Sequence, residues 1–222
     1  MMKLINHARR AVIFSVLIGF GLAHAGSYED FFKAVKEDNV GKTQALLSRG
    51  FDPNTLDSKK LNGLYIALME PSLNVAQVLV AWPKTDVNKL NPKGESPLMM
   101  AALKGYPKLA RQLIEKGADV NKTGWSPLHY AATSGQLPVI SLLLENSAYI
   151  DAESPNGTTP LMMAAMYGTP AAVKLLLQEG ADPQLKNQQG LSALDFAQRA
   201  QRPDAIEALA TAIRRKQPLG QW

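Results

Sequence analysis

The sequence predicts an all-α solenoid of about six helix-turn-helix units joined by extended turns. Three observations carry this: a period near 33 residues, two apolar phrases recurring in fixed order within it, and proline and glycine at the phrase boundaries. Aligned on the leucine before a small-residue pair, the first phrase reads "GESPLMMAALKGYP", "GWSPLHYAATSGQLP", "GTTPLMMAAMYGTP" and "GLSALDFAQRAQRP", after two degenerate copies, "YEDFFKAVKEDN" and "LNGLYIALMEPS". Its apolar residue falls at Phe31, Leu64, Leu98, Leu128, Leu161 and Leu194, at intervals of 33, 34, 30, 33 and 33 residues. The second phrase reads "LLSRGFDPN", "VLVAWPKTDVN", "LIEKGADVN", "LLLENSAYID" and "LLLQEGADPQ".

In chain order, residues 1–25 stand apart. Lys3, Arg9 and Arg10 precede the uncharged stretch "AVIFSVLIGFGLA", and "AHA" follows at Ala23–Ala25. A basic lead, an apolar run too short to span a bilayer and an A-x-A site predict a signal peptide cleaved after Ala25. Export would place the remaining 26–222 in the periplasm, with no stable membrane anchor. Ser27 to Asp30 reads as a capping-box start ahead of Phe31 and Phe32. The repeats are then expected over about 27–59, 60–93, 94–123, 124–156, 157–189 and 190–222, leaving no room for a second domain.

Within a repeat, Ser126–Pro127 and Thr159–Pro160 start a short helix: the hydroxyl caps open N–H groups, and proline is tolerated in the first turn. Alanine pairs (Ala101–Ala102, Ala131–Ala132, Ala164–Ala165) let neighbouring helices approach. Gly105, Gly135 and Gly168 are expected to end the helix with positive φ. Pro107, Pro138, Pro170 and Pro203 open the second helix, and Gly50, Gly117 and Gly180 close it ahead of an extended turn. Neither helix can bury its apolar face alone, so the units must stack.

These phrases, and "SPLHYAA" at Ser126–Ala132 above all, resemble the ankyrin repeat over nearly all of residues 27–222. The resemblance implies a protein-binding solenoid whose partners are held by turn tips and the exposed ends of first helices. Carried over by position, the expected partner-binding residues are Glu95, Trp125, Thr158 and Leu191 at the tips. On the helix ends they are Leu103, Lys104, Thr133, Ser134, Met166 and Tyr167. The family's histidine slot is filled by His129, which the resemblance assigns to bonds between adjacent repeats. Tyr65, Met99, Met162 and Asp195 fill the equivalent slot and are expected not to copy that bond.

Chemistry finds little purchase. Ser126 and His129 have the residue types of a nucleophile and its base, but Ser126 occupies the capping slot and its counterparts Ser96, Thr159 and Ser192 lack a histidine. Met69, Met99, Met100, Met162, Met163 and Met166 suggest a soft-metal site. Side chains one repeat apart, on helices about 8–10 Å apart, cannot readily share one ion, so they read as core filler. The sequence therefore predicts neither enzyme nor metal nor cofactor. The formal charge of +5 falls to +2 once Lys3, Arg9 and Arg10 leave with no acid, which makes nucleic acid a poor partner. With no cysteine, the fold rests on packing alone. The expected molecule is a monomeric, non-catalytic scaffold or accessory factor for another exported protein. The alternative is a dedicated inhibitor or immunity protein.

Overall fold

The computed structural model describes residues 26–216; the leader expected at 1–25 lies outside them. The described chain is helical throughout, its only strand-like pairing being an isolated antiparallel bridge between Leu56 and Asn62. It divides into two compact units with a boundary between Thr85 and Asp86, in the turn that closes the second repeat.

The first unit holds helix α1 over 26–36, α2 (Val40–Ser48), α3 (Gly63–Met69) and α4 (Leu73–Ala81). Gly26 and Ser27 already lie inside α1, so Ser27 is not its N-cap. Phe31 stacks on Phe51 at 4.5 Å and meets Phe32 edge-on at 5.3 Å. Gly63 faces the Phe31 ring so closely that a Cβ there would stand 2.7 Å from it. Aromatic burial thus replaces the alanine pairing used by later repeats, while Lys33 and Lys36 of α1 and Glu37 just after it stay exposed.

The second unit repeats one hairpin four times: α5 (Pro97–Lys104) with α6 (Pro107–Glu115), α7 (Pro127–Ser134) with α8 (Leu137–Glu145), α9 (Pro160–Met166) with α10 (Pro170–Gln178), and α11 (Ala193–Arg199) with α12 (Pro203–Lys216). First helices pack in the order α5, α7, α9, α11, and second helices in the order α6, α8, α10, α12. The close approach of first helices needs the alanine pairs, all of which are fully buried with Leu98, Leu128 and Leu161 beside them. Methyl-sized side chains leave room for a neighbouring backbone at the short end of normal helix spacing.

Helix ends follow the punctuation with one exception. Gly105 and Gly135 adopt φ of +70° and +68°, and Gly117 and Gly180 reach +91° and +103°, where only glycine avoids a steric cost. Gly168 does not adopt positive φ; it is glycine because a Cβ would collide with the carbonyl of Ala132 and the Cα of Ala164. Arg202 then donates to the carbonyls of Met166 (3.3 Å) and Gly168, a cation on the open carbonyls after α9.

The extended turns carry a ladder that closes one repeat on the next. The Asn88 side chain donates to the Gly117 carbonyl at 2.9 Å and accepts from the Asp119 N–H at 2.8 Å. Asn121 does the same to Ser147 and Tyr149, both at 2.8 Å. Asp151, at the next equivalent place, accepts from Asp182 N–H at 3.0 Å. A carboxamide offers both a donor and an acceptor to a backbone segment, whereas a carboxylate offers only acceptors.

Candidate functional site

The site is built from the inside outward, beginning at His129. Its Nδ1 accepts from the Ser126 N–H at 3.2 Å and lies 2.9 Å from the Ser126 hydroxyl. With Nδ1 an acceptor, Nε2 carries the proton and donates to the Thr158 carbonyl of the next repeat at 2.9 Å. Burial strips the ring of water and lowers its pKa to about 4, so it is neutral near pH 7. Among the described residues no acid orients it, and Ser126 is buried with it. The pair cannot meet a substrate; it clamps two repeats.

Three of the other four occupants of this slot copy half of that clamp. Met99 Sδ accepts from the Ser96 N–H at 3.3 Å, Met162 Sδ from Thr159 N–H at 3.4 Å, and Asp195 Oδ2 from Ser192 N–H at 2.7 Å. Each of these three caps its own helix, as the histidine does; the bond expected not to be copied is the one His129 makes to the next repeat. Only the reach to the next repeat needs imidazole, whose second nitrogen lies across the ring from the first.

Trp125 leads into the outer surface. Its ring meets His129 edge-on at 5.2 Å while its other surfaces stay partly open. It forms a wall between two adjoining hollows. The smaller, about 230 Å³, is lined by Leu103, Trp125, Tyr130, Thr133 and Met163. The larger, about 310 Å³, is lined by Met166, Tyr167, Leu191 and Phe196 together with Asn156, Asn187 and Arg199. Tyr167 is 57% exposed, one of the most exposed large apolar residues described.

Seven of the ten expected partner-binding residues line these hollows: Leu103, Trp125, Thr133, Thr158, Met166, Tyr167 and Leu191. Several are less free than their positions imply. Thr158 is only 2% exposed, because its carbonyl holds His129 and its N–H donates to Ser154 Oγ at 3.0 Å. Glu95 accepts from the Tyr130 hydroxyl at 3.0 Å and from Asn91 at 2.7 Å. Burial and that carboxylate together push the Tyr130 phenol well above its usual pKa. Thr133 and Ser134 turn their hydroxyls back to the carbonyls of His129 and Tyr130. Lys104 is exposed and stands outside both hollows.

Sequence reasoning missed Tyr130, Met163 and Phe196, which share one slot on successive first helices and line the hollows together. The signal was there: the place between the capping-partner slot and the alanine pair reads Met100, Tyr130, Met163, Phe196, always large and apolar. A larger hollow, about 530 Å³, lies between α10 and α12. It is lined by alanines and long polar or charged side chains, among them Lys174, Gln178, Glu207 and Arg215, with no aromatic anchor. Binding energy concentrates on aromatic and arginine anchors in desolvated pockets, which favours the Trp125 face.

A family model described as ankyrin repeats matches residues 31–122, 64–154 and 148–217. The chain belongs to the ankyrin-repeat family. Among relatives, it is 32% identical over 130 residues to a putative palmitoyltransferase of Danio rerio, covering 56% of this chain and 20% of that protein. It is 30% identical over 109 residues to an ankyrin repeat and SAM domain-containing protein of Rattus norvegicus, covering 47% and 12%. The chain thus spans a fifth or less of these relatives. Two solved structures match along almost their whole chains. One is an ankyrin repeat domain of Acinetobacter baumannii, with TM-score 0.71, 25% identity, and 82% of this chain and 96% of that one covered. The other comes from the complex of a predatory endopeptidase of Bdellovibrio bacteriovorus with an immunity protein, with TM-score 0.70, 29% identity, and 82% and 97% covered. Ankyrin repeats are a protein-interaction module.

Proposed function

We propose that this ankyrin-repeat protein is a non-catalytic binding module of the bacterial periplasm that docks another exported protein on the Trp125 face, as a scaffold or accessory factor. The observation carrying this reading is the paired hollow itself: Trp125, Tyr130, Met163, Tyr167 and Phe196 converge on one side of adjacent repeats. A photoreactive residue placed at Tyr167 should crosslink the partner in intact cells, and one at Arg111, exposed on α6, should not. Equal crosslinking from both positions contradicts the assignment. Export is supported by the basic lead, apolar run and "AHA". Intact mass measurement of the protein from an envelope fraction should give an N-terminus at Gly26; a chain retaining Met1 in the membrane pellet contradicts it.

The likeness to a chain from the endopeptidase–immunity protein complex favours a second reading, a dedicated inhibitor or immunity protein. The two separate genetically. Loss of a scaffold should give a mild stress phenotype, whereas loss of an immunity protein should be lethal wherever its toxin is made.

A further inference from the structure

We infer that the partner meets this face with an extended segment carrying a bulky apolar side chain and, about five or six residues away, a carboxylate. The inference rests on the Trp125 face being the docking surface. The two hollows differ in what they leave unsatisfied. In the smaller one, Thr133 Oγ1 donates to the His129 carbonyl at 2.7 Å and the Tyr130 hydroxyl to Glu95 at 3.0 Å. With the Tyr130 and Thr133 hydroxyls engaged elsewhere, that lining presents mostly carbon, the Trp125 indole N–H apart, and takes an apolar group.

The larger hollow has donors in its lining. The Asn187 side-chain oxygen accepts from the N–H groups of Gln189 (3.0 Å) and Leu191 (3.1 Å), and that of Asn156 from the Ser154 hydroxyl at 2.6 Å. Their NH2 groups have no hydrogen-bond partner among the described residues; Arg199 makes no hydrogen bond or ion pair among them, although its charge helps to lower the pKa of Asp195 on the same helix. The two carboxylates beside the hollows are already engaged, Glu95 by Tyr130 and Asn91 and Asp195 by the N–H and hydroxyl of Ser192. A guanidinium and two carboxamide N–H2 groups with their acceptors elsewhere suit an incoming carboxylate. The smaller hollow is centred on α7 and Arg199 ends α11, two helix steps of about 8–10 Å each. An extended chain covers that span at about 3.3 Å per residue in five or six residues. A nucleic acid would need a row of cations along the face, whereas Arg199 is the one cation lining the two hollows.

The test uses random 12-residue peptides displayed on phage and selected on the full chain, followed by affinities of the enriched peptides for wild type, Trp125→Ala and Arg199→Glu. Enriched peptides should share a bulky apolar residue with Asp or Glu five or six positions away. Arg199→Glu should weaken them about tenfold or more, and replacing the peptide's acid by Lys should restore binding to that variant, which an unfolded variant could not do. Peptides that lose affinity with Trp125→Ala but not with Arg199→Glu keep the face and overturn the acidic partner. Peptides indifferent to both overturn the face and the inference together. Enrichment of sequences lacking an acid, or of none, also overturns it.

Discussion

At the scale of one residue, His129 shows how a repeat position becomes a clamp. Its ring nitrogens hold the Ser126 N–H and the Thr158 carbonyl, and burial keeps it neutral with a pKa of about 4. The unfolded chain takes up a proton near the ordinary histidine value of about 6.5, so between those two values only the unfolded state gains the proton. Stability from this group is therefore complete above about pH 6.5 and declines as pH falls toward about 4. The loss is about 3 kcal/mol at most. Denaturant unfolding of wild type and His129→Gln should diverge at pH 7 and converge by pH 4; a difference that does not change with pH would mean the ring is not the titrating group.

At the scale of the element, the ladder in the extended turns makes a sharper demand than the helices do. Asn121 both accepts and donates across repeats, so Asn121→Asp keeps one bond and loses the other. It should cost about 0.5–1.5 kcal/mol, read as a lower denaturant midpoint, and an unchanged midpoint would make the ladder decorative. Glycine divides the same way. Gly117, with open space around it, should tolerate alanine at about 1 kcal/mol from its φ of +91° alone. Gly168→Ala must push apart the backbones of two first helices, at about 1–3 kcal/mol. Equal costs would contradict the distinction. The helices themselves were legible because proline, glycine and alanine act locally, and periodicity shows where. Gly168 was misread because its constraint comes from Ala132 in the preceding repeat, which local punctuation does not reveal. Tyr130, Met163 and Phe196 were missed for a related reason: Met100 in the same slot is buried, and only neighbouring repeats decide whether that slot is covered.

At the scale of the whole molecule, the second unit is proposed to hold a partner through the aromatic side chains that line the hollows along its first helices. Trp125 serves both the His129 packing and the hollows, so its truncation mixes two effects. Tyr167, with 57% of its surface exposed, does not. Truncating an aromatic anchor at the centre of an interface typically costs about 2 kcal/mol, roughly thirtyfold in affinity, while an exposed residue without a partner changes stability by less than about 0.5 kcal/mol. The most direct measurement is the affinity of the crosslinked partner, once purified, for wild type, Tyr167→Ala and Arg111→Ala, each beside its denaturant midpoint. Binding should be about thirtyfold weaker for Tyr167→Ala at an unchanged midpoint, and of wild-type affinity for Arg111→Ala. Full affinity in Tyr167→Ala, or a loss that tracks unfolding, would contradict the proposal.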